Sequence, residues 1–378
     1  MSARAQVAIV GGGVTGTAAA CALASRGLEV LLLERRDMAR DPNRGDLLDG
    51  ASVEHLESWG AMEAIRERGP TAMRELAFAG RGGALGRAPI PETLTMLNHA
   101  EIEAALAEAA EARGATFERR TVRGVRPLHR GTALETDDGE IEADLVVGAD
   151  GASSPVRAAL GIEVERHEYP ESLVIVHAPW PDWLAPDTGW VMFHPDGGVL
   201  IVPTTPPGRA RLAIYTGPEE TRDWLTASAE GMRERLGRRW APLAELEIDR
   251  GGGSHLYRVA RQHARRYAAG PVALAGDAAH VTPPTGGQGM NLAIRDAAAL
   301  ADAAVPALAA GKPDPDRLGE ALAAYESRRW KANERALRNA HRLHRMRTER
   351  SRYRAAVLGA RVMTRVPALS RRALRRPD

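Results

Sequence analysis

The residues Gln6-Val7-Ala8-Ile9-Val10-Gly11-Gly12-Gly13-Val14-Thr15-Gly16-Thr17-Ala18-Ala19-Ala20-Cys21-Ala22-Leu23-Ala24-Ser25-Arg26-Gly27-Leu28-Glu29-Val30-Leu31-Leu32-Leu33-Glu34 read as strand, turn, helix, strand. Val7–Val10 is a short apolar run, and Val30–Leu33 is a second one, as expected of parallel strands buried on both faces. The helix between them is expected to run to Arg26 and to be closed by Gly27. Gly11, Gly13 and Gly16 fall between strand and helix. There the first glycine permits a tight turn, the second lets a pyrophosphate approach the backbone, and the third lets helix and strand pack closely. Val14 and Thr15 open a helix whose free N–H groups and positive dipole end face the phosphates. Glu34 ends the second strand 18 residues after Gly16, where a carboxylate can accept hydrogen bonds from a ribose. The unit predicts a dinucleotide site; by itself it does not separate FAD from NAD.

Outward from this unit, a helix is expected over Ala51–Arg68, with Leu56, Trp59 and Ile65 as its apolar stripe. An alanine-rich helix fits Glu101–Ala112, and Leu145–Val147 reads as another buried strand. From about residue 166 to 250 the texture becomes short β-like runs separated by Pro, Gly and Asp: Leu173–His177, Trp190–His194, Val199–Val202 and Arg211–Tyr215. The βα texture resumes at Pro271–Gly276 and passes into a long helical C-terminus. The expected fold class is α/β: a Rossmann-like dinucleotide fold with an inserted, largely antiparallel β-sheet domain and C-terminal helices. The expected division gives 1–75, 95–165 and 251–312 to the cofactor domain, 76–94 and 166–250 to the substrate sheet, and 313–378 to the terminal helices.

Two further motifs narrow the reading. Ala149-Asp150-Gly151-Ala152-Ser153-Ser154-Pro155-Val156-Arg157 follows the strand Leu145–Val147. Later come Ala275-Gly276-Asp277-Ala278-Ala279-His280 and Pro283-Pro284-Thr285-Gly286-Gly287-Gln288-Gly289-Met290-Asn291, followed by an alanine-rich helix. A carboxylate after a strand can bond a ribityl hydroxyl. A glycine-dense turn before a helix offers N–H groups and a dipole to an electron-rich ring edge.

In this order and at these separations, the three motifs resemble the single-component FAD-dependent aromatic monooxygenases, the p-hydroxybenzoate hydroxylase and ubiquinone-pathway hydroxylase type. The resemblance covers the chain to about residue 330 and is weakest through the β insertion. It implies non-covalent FAD, with NADPH or NADH as co-substrate. It also implies hydroxylation or epoxidation of an electron-rich aromatic molecule with O₂ through a flavin C4a-hydroperoxide. It places Asp150 and Gly151 near the pyrophosphate and the entering nicotinamide, Asp277 on the ribityl chain or riboses, and Pro284 and Gly287–Asn291 against the flavin ring. Arg44, ten residues after Glu34, matches an arginine kept near the phosphates and the moving flavin. Arg35 is expected beside the adenine and Val122 to contact it through the backbone. His99 stands where the family usually has a phosphate-contacting arginine. The rivals are an FAD-dependent reductase or desaturase acting on a lipophilic substrate, and a non-enzymatic flavin-binding protein.

Composition excludes other classes. The formal net charge of +2 and the 4% aromatic content give no basis for nucleic-acid binding. The single cysteine, Cys21, allows neither a disulfide framework nor a thiolate metal site, and no metal-ligand spacing is present. With no leader or membrane-spanning run read from the sequence, a cytoplasmic location is expected. Substrate-wall candidates are Trp190, Met192, Val202 and Tyr215, which suit an apolar aromatic ligand without a carboxylate. From His341 onward, twelve arginines accompany Val357, Leu358, Val362, Met363, Val366 and Leu369 near helical spacing. That tail is expected either to pack on its own domain or to make a peripheral contact with an acidic membrane surface.

Overall fold

A computed structural model of the chain describes residues 3–36, 47–249, 255–309 and 314–374. Arg44 therefore lies outside the described residues. The opening unit forms as strand Ala3–Val10, helix Val14–Ala24 and strand Val30–Glu34, the helix ending two residues short of the expected Arg26. Val7 pairs with Val30 and Val10 with Leu33 in parallel register. These strands lie inside an eight-stranded sheet, in which Ala3–Val10 also pairs in parallel with Gly139–Gly148, and that strand with Val272–Leu274. Val7, Ala8 and Ile9 have no exposed surface, because helices and sheet cover both faces.

The expected helix over Ala51–Arg68 is two helices, Gly50–Ser58 and Met62–Glu67. The chain turns between them at Gly60, which has a φ of +68°, the left-handed region that ends helices. Leu56, Trp59 and Ile65 are buried all the same.

The second sheet has nine strands. Its body is Thr71–Gly80, Gly83–Met96, Val164–Pro179, Thr188–Met192, Val199–Thr204, Arg209–Thr216 and His255–Ala264. Pairing is antiparallel except where Thr188–Met192 runs parallel to Thr71–Gly80. Two strands extend past the expected ranges, since the sheet begins at Thr71 and recruits His255–Ala264 onto Val164–Pro179. Two short strands, Leu47–Leu48 and His280–Val281, join its edges beside the glycine motifs.

Strand alternation gives this sheet two apolar faces. One carries Val174, Val176, Trp190, Met192, Ile201, Leu212 and Ile214, and is covered by Trp224, Met232 and Leu236 of the helices Thr221–Thr226 and Ala229–Arg239. The other carries Leu173, Ile175, Ala213 and Tyr215, with Val202 and Met73 in a neighbouring cluster. Helix Pro315–Thr348 packs on the long helix Gly289–Leu308. Helix Tyr353–Arg365 then lays Ala356, Ala360, Val357 and Met363 on Phe78 and Phe193.

Candidate active site

The three motifs, far apart in sequence, are in van der Waals contact. Gly11 turns with a φ of +108°, and a Cβ there would lie 2.4 Å from the Ala149 carbonyl oxygen. Gly276 has a φ of +57°, and a Cβ there would lie 2.1 Å from the Thr15 hydroxyl oxygen. Only glycine satisfies both the backbone conformation and the space at either position. Arg157, itself buried, donates to the Ala278 carbonyl at 2.8 Å and to the Ala152 carbonyl at 2.8 Å, so the second motif braces the third.

Glu34 accepts from the Gly12 amide at 2.6 Å and the Arg36 amide at 3.0 Å. Burial alone would raise its pKa, but the Gly12 amide and the Arg36 amide and guanidinium hold it below the usual carboxylate range. Glu34 therefore stands ionised at the lip of the glycine turn. The neighbouring Arg35 is exposed, and the guanidinium on Glu34 is that of Arg36.

Asp150 accepts from the Val156 amide at 2.9 Å through Oδ2, while its buried Oδ1 has no partner. Burial pushes its carboxyl pKa up. A buried carboxylate oxygen left open beside a pyrophosphate-type turn fits a ligand hydroxyl or amide, because an unmet buried acceptor is costly. Space above Gly13 is also open, since a Cβ there would meet only Glu103 Oε1, at 3.3 Å. These features fit a dinucleotide lying across the strand ends.

Val122 is buried at the start of strand Val122–Pro127. His99 is the first residue of helix His99–Glu111, which Asn98 caps through the Ala100 amide at 3.0 Å. Asp277 lies in the turn Gly276–Ala278, and Pro284 opens the turn Pro284–Gly286. Gln288 precedes helix Gly289–Leu308, which begins with Gly289 and the half-buried Met290. Asn291 accepts from the Asp49 amide at 3.0 Å and donates to the Leu47 carbonyl at 2.9 Å. The third motif is thus tied to residues 47–49, with Asp49 in turn bonded to Arg295 at 3.0 Å.

The structure separates the four substrate-wall candidates. Tyr215 donates to Thr285 Oγ1 at 3.0 Å, and Val202 clusters with Leu47, Met73 and Met96, so both face the third motif. Trp190 and Met192 point to the opposite face, because Trp190 pairs with Ile201 and Met192 with Val199, one step out of phase with Val202. Trp190 instead joins Trp183 and Trp240 around a cavity of about 410 Å³ on that far side.

Sequence reasoning missed Asp296, which is fully buried. It bonds His280 Nε2 at 2.6 Å, Arg329 Nε at 2.7 Å, Asn333 Nδ2 at 3.0 Å and the Gly276 amide at 3.0 Å. Burial opposes its ionisation, but His280 and Arg329 outweigh it and hold the pKa well below the carboxylate range. The available signal was Arg295-Asp296, an adjacent charged pair within an alanine- and leucine-rich helix.

A doubly wound sheet with a glycine turn, an acid after the second strand and two further glycine turns closing over the strand ends defines a dinucleotide-cofactor enzyme fold. The chain matches the family described as FAD binding domain over residues 4–340, and it belongs to that family of flavoproteins. It is 31% identical over 324 residues to the 3-demethoxyubiquinol 3-hydroxylase of Escherichia coli (strain K12), covering 81% of each chain. It is 32% identical over 305 residues to the dialkyldecalin synthase of Streptomyces rugosporus. That match takes in 78% of this chain and 64% of the synthase, so the chain spans under two-thirds of that relative's length. Among solved structures, PqsL of P. aeruginosa in complex with 2-aminobenzoylacetate superposes with a TM-score of 0.82 at 27% identity, covering 94% of this chain and 99% of PqsL.

Proposed function

We propose that the chain is an FAD-dependent, NAD(P)H-consuming monooxygenase that hydroxylates an electron-rich, apolar aromatic molecule. The observation that carries this is the meeting of three glycine motifs beneath a sheet face whose Tyr215 touches the third motif. The named hydroxylase relative supports the same reading. Bound there, FAD supplies hydride acceptance from the nicotinamide and activation of O₂. The protein's part is placement. Glu34 would hold the adenosine ribose, the open path over Gly13 would admit the pyrophosphate, and Asp150 Oδ1 and Asp277 would take hydroxyls along the chain. With FAD bound, the free amides of the N-terminal turn of helix Gly289–Leu308 would meet the flavin's electron-rich edge. Val202, Met73 and Leu94 form an apolar wall that excludes water from the reacting ring. We place the substrate-binding unit on the second sheet and the cofactor unit on the first.

Purified protein should release FAD on denaturation, and a lipophilic phenol, indole or quinolone should stimulate NAD(P)H oxidation, with one ¹⁸O atom from ¹⁸O₂ in the product. Recovery of FMN, or product lacking the label, would defeat this reading. The dialkyldecalin synthase relative favours a second reading, in which the chain carries out a synthase reaction in place of an oxygenation. Product formation without nicotinamide or O₂ would establish it.

Among the described residues no helix is long and apolar enough to cross a membrane. The tail both packs and exposes: Val357 and Met363 lie on the sheet, while Leu358 is 63% exposed and Val362, Val366 and Leu369 point outward beside Arg354, Arg361 and Arg365. We propose that this outer face touches anionic lipid, each nearby arginine adding about 1 kcal/mol. Binding to phosphatidylserine vesicles at low salt should then weaken as salt rises. Absence of binding at low salt leaves the helix a packing element alone.

A further inference from the structure

The cavity on the far side of the second sheet belongs to neither the cofactor site nor the substrate face. It encloses about 410 Å³ beside Trp183, Trp190 and Trp240. Three pieces of chain bring these rings together. Trp183 precedes strand Thr188–Met192, Trp190 lies within it, and Trp240 joins helix Ala229–Arg239 to the turn Ala241–Glu245. The Trp190 and Trp240 centroids are 4.2 Å apart, with ring planes 38° apart. Trp183 stands across both, 5.3 Å from each, at 69° and 74°. The cluster therefore presents indole surface in two directions not far from a right angle. Small residues of the neighbouring hairpin, Ala77, Ala84 and Gly86, leave the space open. Gly86 is kept small by the C-terminal helix, since its φ is +137° and a Cβ there would lie 2.6 Å from Thr364 Oγ1.

Charge decides what this space suits. Two charged side chains line it, Arg87 and Glu245. Arg87 is answered by Glu75, 3.5 Å away. Glu245 is exposed, and its carboxylate has no ion pair or hydrogen bond among the described residues. One negative charge is thus left over beside the aromatic cluster, on the same tight turn that follows Trp240. The rings agree with that sign, because the face of an indole is negative and attracts cations. Elsewhere on this side of the sheet the chain supplies the cation itself. Arg239 stands 4.8 Å from the Trp224 ring centroid, and Arg235 stands 6.0 Å from it. Among the described residues no arginine or lysine stands over Trp183, Trp190 or Trp240.

We propose that this cavity binds a small organic cation, a quaternary or tertiary ammonium. Its alkyl groups would lie against Trp183, Trp190 and Trp240, and its charge would face Glu245. An alkylated ammonium suits the walls better than a primary amine. The primary amine brings three N–H donors, and donors left without acceptors against apolar walls are costly. A quaternary nitrogen brings none, and it spreads its charge over carbons that pack on indole faces. Trp190 points away from the third motif, so the bound cation would lie across the sheet from the reacting ring. The site stands whether or not the chain oxygenates.

The test reads binding, not turnover. The probe is phenyltrimethylammonium, with its neutral carbon isostere tert-butylbenzene as control, on the FAD-loaded full chain. In equilibrium dialysis the cation should bind at least about tenfold more tightly than the isostere. With ¹⁵N-tryptophan label, it should shift the indole resonances of Trp183, Trp190 and Trp240. It should leave those of Trp59 and Trp330, which pack in the cofactor core, where they were. Glu245→Gln should weaken the cation by about threefold and leave the isostere unchanged. Ala84→Phe should abolish binding by filling the space from an exposed position, so the fold is spared. Thermal unfolding and FAD content equal to wild type in both variants will show that the protein is intact. Equal affinity for the isostere, or no binding of the cation, would overturn the site. So would cation binding unchanged in either variant, or shifts at Trp59 and Trp330 in place of the other three.

Discussion

Gly13→Val should give a folded protein that has lost its flavin, and Gly16→Ala a protein that folds poorly. The difference comes from what each new Cβ meets. Gly13 has φ −74° and ψ −179°, extended backbone open to any residue, and its Cβ position is 3.3 Å from a single flexible atom, Glu103 Oε1. The Cβ meets no backbone there, only a flexible side-chain end that can give, yet the branch would fill the path by which a pyrophosphate reaches the helix N-terminus. FAD affinity should fall by at least about a hundredfold, or about 2.8 kcal/mol. At Gly16 a Cβ would sit 1.8 Å from the Gly11 carbonyl oxygen, so helix Val14–Ala24 must move off its strand. Far-ultraviolet circular dichroism, thermal unfolding and flavin released per chain separate the two cases. Stoichiometric FAD in Gly13→Val would remove the glycine turn as the pyrophosphate site.

The cofactor side was legible because its geometry is local. A glycine turn is specified by residues within one βαβ unit, and Val7, Ile9, Val30 and Leu32 pair as their apolar runs predict. Sheet faces are less legible. Trp190 looks suited to a flat ligand, but which face it takes depends on register with Ile201 and Ala77, two strands contributed from elsewhere. The residues hardest to read were those whose partners are remote. Asp296 gains meaning only when Arg329, 33 residues on, and His280, 16 residues back, close around it. Thr285 and His344 are 59 residues apart and look unrelated until the long helix returns over the third motif. Sequence spacing records helix and strand period; it does not record which side chains a crossover brings together.

Asp296→Ala should cost about 3–5 kcal/mol of stability, the range found when one member of a buried charge pair is removed. The carboxylate satisfies four donors at once, and Arg329, only 5% exposed, would keep Asn333 and a long contact to the Leu292 carbonyl in its place. Loss of the acceptor for the Gly276 amide also frees the turn that positions Asp277, so FAD retention should drop with stability. Asp296→Asn isolates the charge, since the amide keeps the size and part of the bonding. Because the folded-state pKa of Asp296 is depressed, its ionisation stabilises the native protein at pH values above that of an unfolded aspartate, about 3.9. The stabilisation is lost as pH falls from there toward the folded value. The wild-type advantage over Asp296→Asn in urea unfolding should therefore be full at neutral pH and shrink below about pH 4. An advantage that does not change with pH would mean that size and hydrogen bonding, and not charge, hold the third motif in place.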